Sequence, residues 1–415
     1  MTIEPRTGEL VIYVPNANSD ERGDRRAAGD IDQLIEINTP GTAFMPVAFL
    51  AWFDRLGKAP MSTLWDTNPV DVPNAGTITN SRADAGSEGL ISARAALAGM
   101  QEVPAFRAAN EVGVDAILDI AAKLGITTLA MNFDPNWLNH ADATYGPTLG
   151  NAGVNIRAID MAYVNATLAN MGIMVGTPPL AAALDVSSME STGSAEGQDY
   201  DEAIEQRRLF QRGDTRLPGT RELDPIVVLK VSDSDGNVLF AQGEPERQRV
   251  VDAGSVWLLH TIMSDCTARF IIWACGRNNL DLSLDFALSN GRLVPAGVQF
   301  GRMAFPPDPT GTLEVWMAGY SRYAATVLWV GNADNSLVHD GPRHGYAAST
   351  TAVRLWKTWM GSYHDRLQAR GQFTAAAGFA DLQPPNVIFG PFRTTSTDRG
   401  LRSGGAGTST PLCER

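Results

Sequence analysis

Apolar residues recur at helical spacing from Phe44 through Val47, Leu50 and Phe53 to Leu56. That stripe predicts a largely buried helix ending at Gly57, where glycine can take the left-handed conformation that stops a helix. Just upstream, Pro40-Gly41 predicts a turn. Thr42 then falls at the helix N-cap, where its hydroxyl would accept a first-turn N–H. Thr42 and Met45, three apart, share one face of the helix start. Residues 89–125 predict more helix. Ser92 caps a segment through Ala98, Pro104 suits a first helical position, and residues 114–124 close on Gly125. Asp252 caps an apolar helix over 256–263, and residues 347–364 predict a C-terminal helix.

Strand signals alternate with these helices. Residues 10–14 form a β-rich run after a Thr7-Gly8-Glu9 turn, and further runs cover 226–231, 238–240, 270–274 and 282–288. Asp235-Gly236 between two of them signals a hairpin. The runs 313–320 and 324–332 predict a second hairpin through Ser321-Arg322-Tyr323. Residues 185–222 are polar and acidic and read as a surface insertion. The Gly/Ser/Thr-rich stretch from Arg399 reads as a linker or disordered end.

Composition narrows the function classes. At 415 residues and 44% apolar content the chain can bury a large core, and its net charge of -13 argues against nucleic acid or an anionic membrane surface as partner. No apolar run is long enough to cross a bilayer and no leader pattern opens the chain, so any export signal or anchor lies outside it. Cys266, Cys275 and Cys413 show no metal-type spacing and read as small buried thiols or a spare near the terminus. The acidic run at Asp233 and Asp235 reads as turn chemistry rather than calcium. His339 and His344 have no third ligand nearby in sequence, so no metal site is expected.

The motif Asn38-Thr39-Pro40-Gly41-Thr42-Ala43-Phe44-Met45-Pro46 resembles the first motif of the penicillin-binding-protein transpeptidase family, of the class A type. There a Pro-Gly-Ser-x-Phe-Lys-Pro pattern carries a serine nucleophile and, one turn on, a lysine that accepts its proton. Thr42 fills the serine slot and Met45 the lysine slot. Residues 96–105 resemble the second motif, with Met100 in place of its serine and Glu102 in place of its asparagine. Gln299, Phe300, Gly301 and Arg302 fill the four slots of the third, Lys-Thr-Gly-Thr, motif, whose strand pairs with substrate. A rival placement on Pro309-Thr310-Gly311-Thr312 leaves no turn before the strand carrying Trp316, Gly319 and Tyr320. Runs such as Ser62-Thr63-Leu64-Trp65-Asp66, Asp160-Met161-Ala162, Leu168-Ala169-Asn170-Met171-Gly172 and Trp329-Val330-Gly331-Asn332 also match the family and are structural there.

The resemblance implies an α/β fold of the α+β type. A five-stranded, mostly antiparallel sheet would be flanked by helices and joined to a helical lobe at about 42–180. The transpeptidase-like domain would span 1–365, with a C-terminal extension over 366–415. In the family this domain cross-links bacterial peptidoglycan through an acyl-enzyme that β-lactams also form, outside the cytoplasm and without cofactor or metal. The implied partners are a peptidoglycan stem peptide or another cell-wall synthase.

The chemistry of these slots argues against turnover. A thioether cannot accept the hydroxyl proton, and only four lysines exist (Lys58, Lys123, Lys230, Lys357), none preceded three residues earlier by serine. Loss of one member of a nucleophile–base unit removes about 10⁴ to 10⁶ in rate. The expectation is a pseudo-transpeptidase acting as a binding or assembly module, the alternative an acyl-transfer enzyme that uses Thr42 by an unusual route. For the latter, Glu102 is a candidate base, the Thr42 and Arg302 backbone N–H groups are candidate oxyanion donors, and Arg302 is a candidate carboxylate ligand.

Overall fold

The computed structural model describes the chain except for residues 18–19, 21–22, 25, 73–75, 81–86, 130–145, 151–153, 180–181, 184–214, 270–283, 305–311, 339–343, 374–378, 391–411 and 415. In chain order the elements that position the site are strands β1 (Thr2–Ile3) and β2 (Leu10–Ile12), helix α1 (Met45–Leu56), strands β3 (Thr63–Asp66) and β4 (Gly89–Ser92), and helices α2 (Ala93–Ala98), α3 (Glu102–Val112), α4 (Val114–Leu124), α5 (Ala158–Ala169) and α6 (Ala253–Met263). Strands β5 (Gly297–Ala304), β6 (Thr312–Tyr320) and β7 (Ala325–Gly331) and helix α7 (His344–Ala369) follow.

The central sheet has five strands in the order β5-β6-β7-β1-β2, every pair antiparallel. Its two faces are covered by different helices. A Cβ on Gly319 would lie 2.6 Å from the Trp356 ring of α7, so only glycine lets that indole close on the sheet. The next residue, Tyr320, reaches His260 of α6 instead, and neighbouring strand residues point to opposite faces. This α/β arrangement is the one the sequence predicts.

Helix α1 is the hub of the helical lobe, with α3, α4 and α6 packed around it. Every residue from Met45 to Phe53 is buried, and Gly57 ends the helix at φ 61°. Phe49, Trp52 and Phe53 pack ring on ring, and each such side chain contributes roughly 1.5–3 kcal/mol of burial. The apolar stripe stops at Phe53, because Leu56 is 41% exposed. Local caps fall where predicted: the Ser92 side chain accepts the Ala95 N–H, and Asp252 accepts that of Ser255. Residues 89–92 are strand rather than helix, since they pair with β3. Pro104 is the third residue of α3, a position whose N–H has no partner within the helix in any case.

Three further expectations need correction. The polar stretch does not remain at the surface to its end: Leu217, Thr220 and Arg221 are buried, and Arg221 pairs with Asp160 and Asp224. Cys266 is disulfide-bonded, not a free thiol. The end of the tail, Leu412–Glu414, pairs with Ile388–Gly390, and Phe373, Phe379 and Val387 of the C-terminal extension join the main core. The strand read at 270–274 and the rest of the insertion and tail lie outside the described residues, as does His339. Of the run at 282–288, Phe286–Ala287 is strand. The Asp235-Gly236 hairpin forms between Lys230–Ser232 and Val238–Ala241, and the Asp233 carboxylate accepts the Asp235 and Asn237 N–H groups of its turn.

Two buried histidines tie helices to the sheet. His260 donates from Nε2 to the Leu168 carbonyl at 3.0 Å, which leaves Nδ1 to accept the Tyr320 hydroxyl at 2.7 Å. His364 donates from Nδ1 to the Met360 carbonyl and accepts the Ser321 hydroxyl on Nε2, both at 2.7 Å. Burial holds His260 down to about 3 and His364 down to about 4. The unfolded chain takes up a proton on each below about pH 6.5, whereas the folded chain does not until the lower values. Their stabilisation is therefore complete above pH 6.5 and drains as pH falls, by up to about 1.4 kcal/mol per unit for each group. Replacing His364 with Gln should shrink the difference in unfolding free energy between pH 7 and pH 5 by about 2 kcal/mol, read from urea melts at the two pH values.

Candidate functional site

The approach to Thr42 is held by the sheet. Glu314, a carboxylate inside an otherwise apolar strand, is 5% exposed and accepts the indole N–H groups of Trp316 and Trp329 and the backbone N–H of Thr39. Burial raises its carboxyl above the ordinary carboxylate range. Glu314 is a positioning residue that the sequence reading passed over, although one acid in Thr312–Tyr320 is a visible signal.

Thr42 does not cap a helix. It lies inside a 3-10 turn, Gly41–Phe44, that precedes α1, and its hydroxyl donates to the Phe300 carbonyl of β5 at 2.7 Å. The Gln299 side-chain amide, 2% exposed, donates back to the Thr42 carbonyl at 3.2 Å. Gly41 (φ 56°) and Gly301 let the turn and strand touch along their backbones. A Cβ on Gly41 would lie 2.8 Å from the Arg302 carbonyl oxygen, and one on Gly301 would lie 2.0 Å from the Pro40 carbonyl oxygen. Thr42, Gln299, Phe300, Gly301 and Arg302 therefore form one junction.

Met45, the first residue of α1, is fully buried behind this junction. Its thioether occupies core volume and offers no proton acceptor of useful strength. Met100 and Glu102 sit at the α2–α3 connection. Met100 is buried at φ 52°, a conformation unusual for a non-glycine residue, and Glu102 opens α3 at 8% exposure. Beside them the Val103 N–H donates to Asn80 Oδ1, Asn80 donates to Asp66, and Gln101 Nε2 reaches Glu88. Among the described residues the Thr42 hydroxyl has the Phe300 carbonyl as its partner and no carboxylate.

The third-motif slots lie on β5, at one edge of the sheet, with Gln299 opposite Ala318 and Gly301 opposite Trp316. Thr312 belongs to β6, the neighbouring strand. Residues 309–311 of the rival placement lie outside the described residues. Among the described residues no cluster of three or more His, Cys, Asp or Glu side chains could hold a metal ion, and no helix is long and apolar enough to cross a membrane.

No protein-family model and no curated protein matches the chain. Solved structures do. Penicillin-binding protein PonA1 from Mycobacterium tuberculosis superposes with a TM-score of 0.60 at 18% identity, over 94% of this chain and 83% of that one. PBPA from the same organism gives 0.54 at 16%, over 85% and 73%. Penicillin-Binding Protein 1A from Haemophilus influenzae gives 0.61 at 15%, over 99% of this chain and 52% of that one. At these identities the likeness is one of fold.

Proposed function

We propose that this chain, which has the fold of penicillin-binding-protein transpeptidase domains, is a non-catalytic pseudo-transpeptidase, a binding or assembly module in peptidoglycan synthesis. The observation that carries the reading is the fate of Thr42. Its proton is directed at the Phe300 carbonyl, and the position one turn on holds a buried methionine. An alcohol attacks a carbonyl at neutral pH only when a neighbouring base takes its proton, and an amide carbonyl oxygen is not such a base. Among the described residues no carboxylate bonds the Thr42 hydroxyl, which supports this reading over one with Glu102 as base. The ligand in this reading is a peptidoglycan stem peptide or a partner synthase, with the partly buried Arg302 of the edge strand β5 as the group that would meet a carboxylate. An extracytoplasmic location accords with the disulfide at Cys266, since disulfides persist in oxidising compartments.

The test is the intact mass of the folded protein before and after incubation with excess penicillin. The expected result is an unchanged mass. A penicilloyl adduct mapped to Thr42 would overturn the reading in favour of an acyl-transfer enzyme.

A further inference from the structure

A cavity lies away from Thr42, toward the end of the sheet opposite β5. It has a volume of about 690 Å³ and opens between the β7–β1–β2 edge, the segment that follows β2, and α7. That volume is in the range of ligand sites, roughly 300–1,000 Å³. Three tryptophans line it, and each has its indole N–H committed inside the protein: Trp329 to Glu314, Trp356 to the Thr326 carbonyl and Trp359 to the Thr2 hydroxyl. They therefore present carbon to the cavity. Val14 and Leu355, each 53% exposed, extend the apolar wall to its mouth.

Two polar groups on the lining keep their donors uncommitted among the described residues. Arg26 is fixed by its backbone, its N–H donating to Asp24 Oδ1 and its carbonyl accepting from Ala333, while its exposed guanidinium makes no ion pair or hydrogen bond. Gln33 is 8% exposed, its backbone N–H donates to Pro15, and its side-chain amide has no partner. The Gln33 amide atoms still touch solvent, so a ligand acceptor there would take the place of water. Among the other polar side chains on the lining, Asn16 donates to the Ala27 carbonyl, Asn332 donates to the Leu337 carbonyl, and the exposed Asp24 carboxylate accepts the Arg26 backbone N–H.

We propose that this cavity binds a single-tailed amphiphile with an anionic head, the hydrocarbon tail lying against Trp329, Trp356 and Trp359 and the carboxylate or phosphate meeting Arg26 and Gln33. A peptide fits less well. Its backbone N–H and C=O groups would each need a partner, and the walls are mostly carbon. A hydrocarbon chain needs none, and each buried CH₂ contributes about 0.8 kcal/mol. The proposal is independent of the reading of Thr42.

The test is a titration with monomeric dodecanoate, dodecyl phosphate and 1-dodecanol, followed by intrinsic tryptophan fluorescence. Saturable binding of at least one anion is expected at a Kd on the order of 1–50 μM, with dodecanol at least about tenfold weaker. Arg26→Gln, at an exposed position, should melt as the parent does and lose that preference. Leu355→Glu at the mouth should weaken every ligand. A response to dodecanoate alone identifies a fatty-acid carboxylate, and one to dodecyl phosphate alone a lipid phosphate. The absence of a saturable response to either anion, dodecanol binding as tightly as the anions, or an unchanged preference in Arg26→Gln would each overturn the proposal.

Discussion

Arg221→Met is expected to cost the fold about 3–5 kcal/mol, the largest single loss in this molecule. Arg221 donates to Asp160 Oδ1 at 2.9 Å, to Asp224 Oδ1 at 2.6 Å and to the Gly125 carbonyl at 3.2 Å, and its guanidinium lies 5.2 Å from the Tyr163 ring centre. Side-chain exposure is 6% for the arginine and 1% and 8% for the two acids. Removing the cation takes from two buried carboxylates the ion pair that offsets their desolvation. The loss therefore includes their desolvation, not only the broken hydrogen bonds. Asp160→Asn should cost less, because Thr127 still donates to that side chain through its backbone N–H and hydroxyl. Urea unfolding of the two variants and the double variant measures the coupling. A loss under about 1 kcal/mol for Arg221→Met would mean that water reaches the pair.

The second large effect is expected at Gly301. Alanine there would place a Cβ 2.0 Å from the Pro40 carbonyl oxygen and 2.9 Å from the Ala43 nitrogen, both backbone atoms that cannot rotate away. Either β5 or the Gly41–Phe44 turn must move. Overpacking usually costs 1–3 kcal/mol, and contact with backbone puts Gly301→Ala at about 3 kcal/mol or more. Because the Thr42–Phe300 bond spans the same junction, amides 41–45 should exchange with deuterium faster in the variant. Gly57→Ala is the control. Nothing lies within 4 Å of its Cβ, and only its φ of 61° resists, so its cost should be about 1 kcal/mol. Equal losses at the two positions would show that the junction is not close-packed.

Much of the architecture was legible because its causes are local. The Phe44 to Phe53 spacing, the Ser92 and Asp252 caps, the Gly57 stop and the Asp235-Gly236 turn each act within a few residues, and each appears where the pattern puts it. The misreadings share the opposite cause. Thr42 reads as an N-cap until Phe300, 258 residues away, offers its hydroxyl another acceptor. Residues 215–222 read as surface from their polarity, but Arg221 finds Asp160 61 residues back in the chain. Polarity alone does not distinguish a solvated charge from a paired one.

The sequence by itself decided what chemistry can be present at the Thr42 slot. Met45, one turn beyond Thr42, carries a thioether, and folding cannot give that side chain a proton acceptor of useful strength. It also decided where the buried helix starts and stops, since helix periodicity and caps are properties of neighbouring residues. Tertiary structure alone decided the direction of the Thr42 hydroxyl, the bond from the Thr39 N–H to Glu314, and the closeness of strand and turn that leaves room for nothing larger than glycine at 301. Those are contacts between segments hundreds of residues apart, and their geometry exists only once the sheet and the helical lobe have packed.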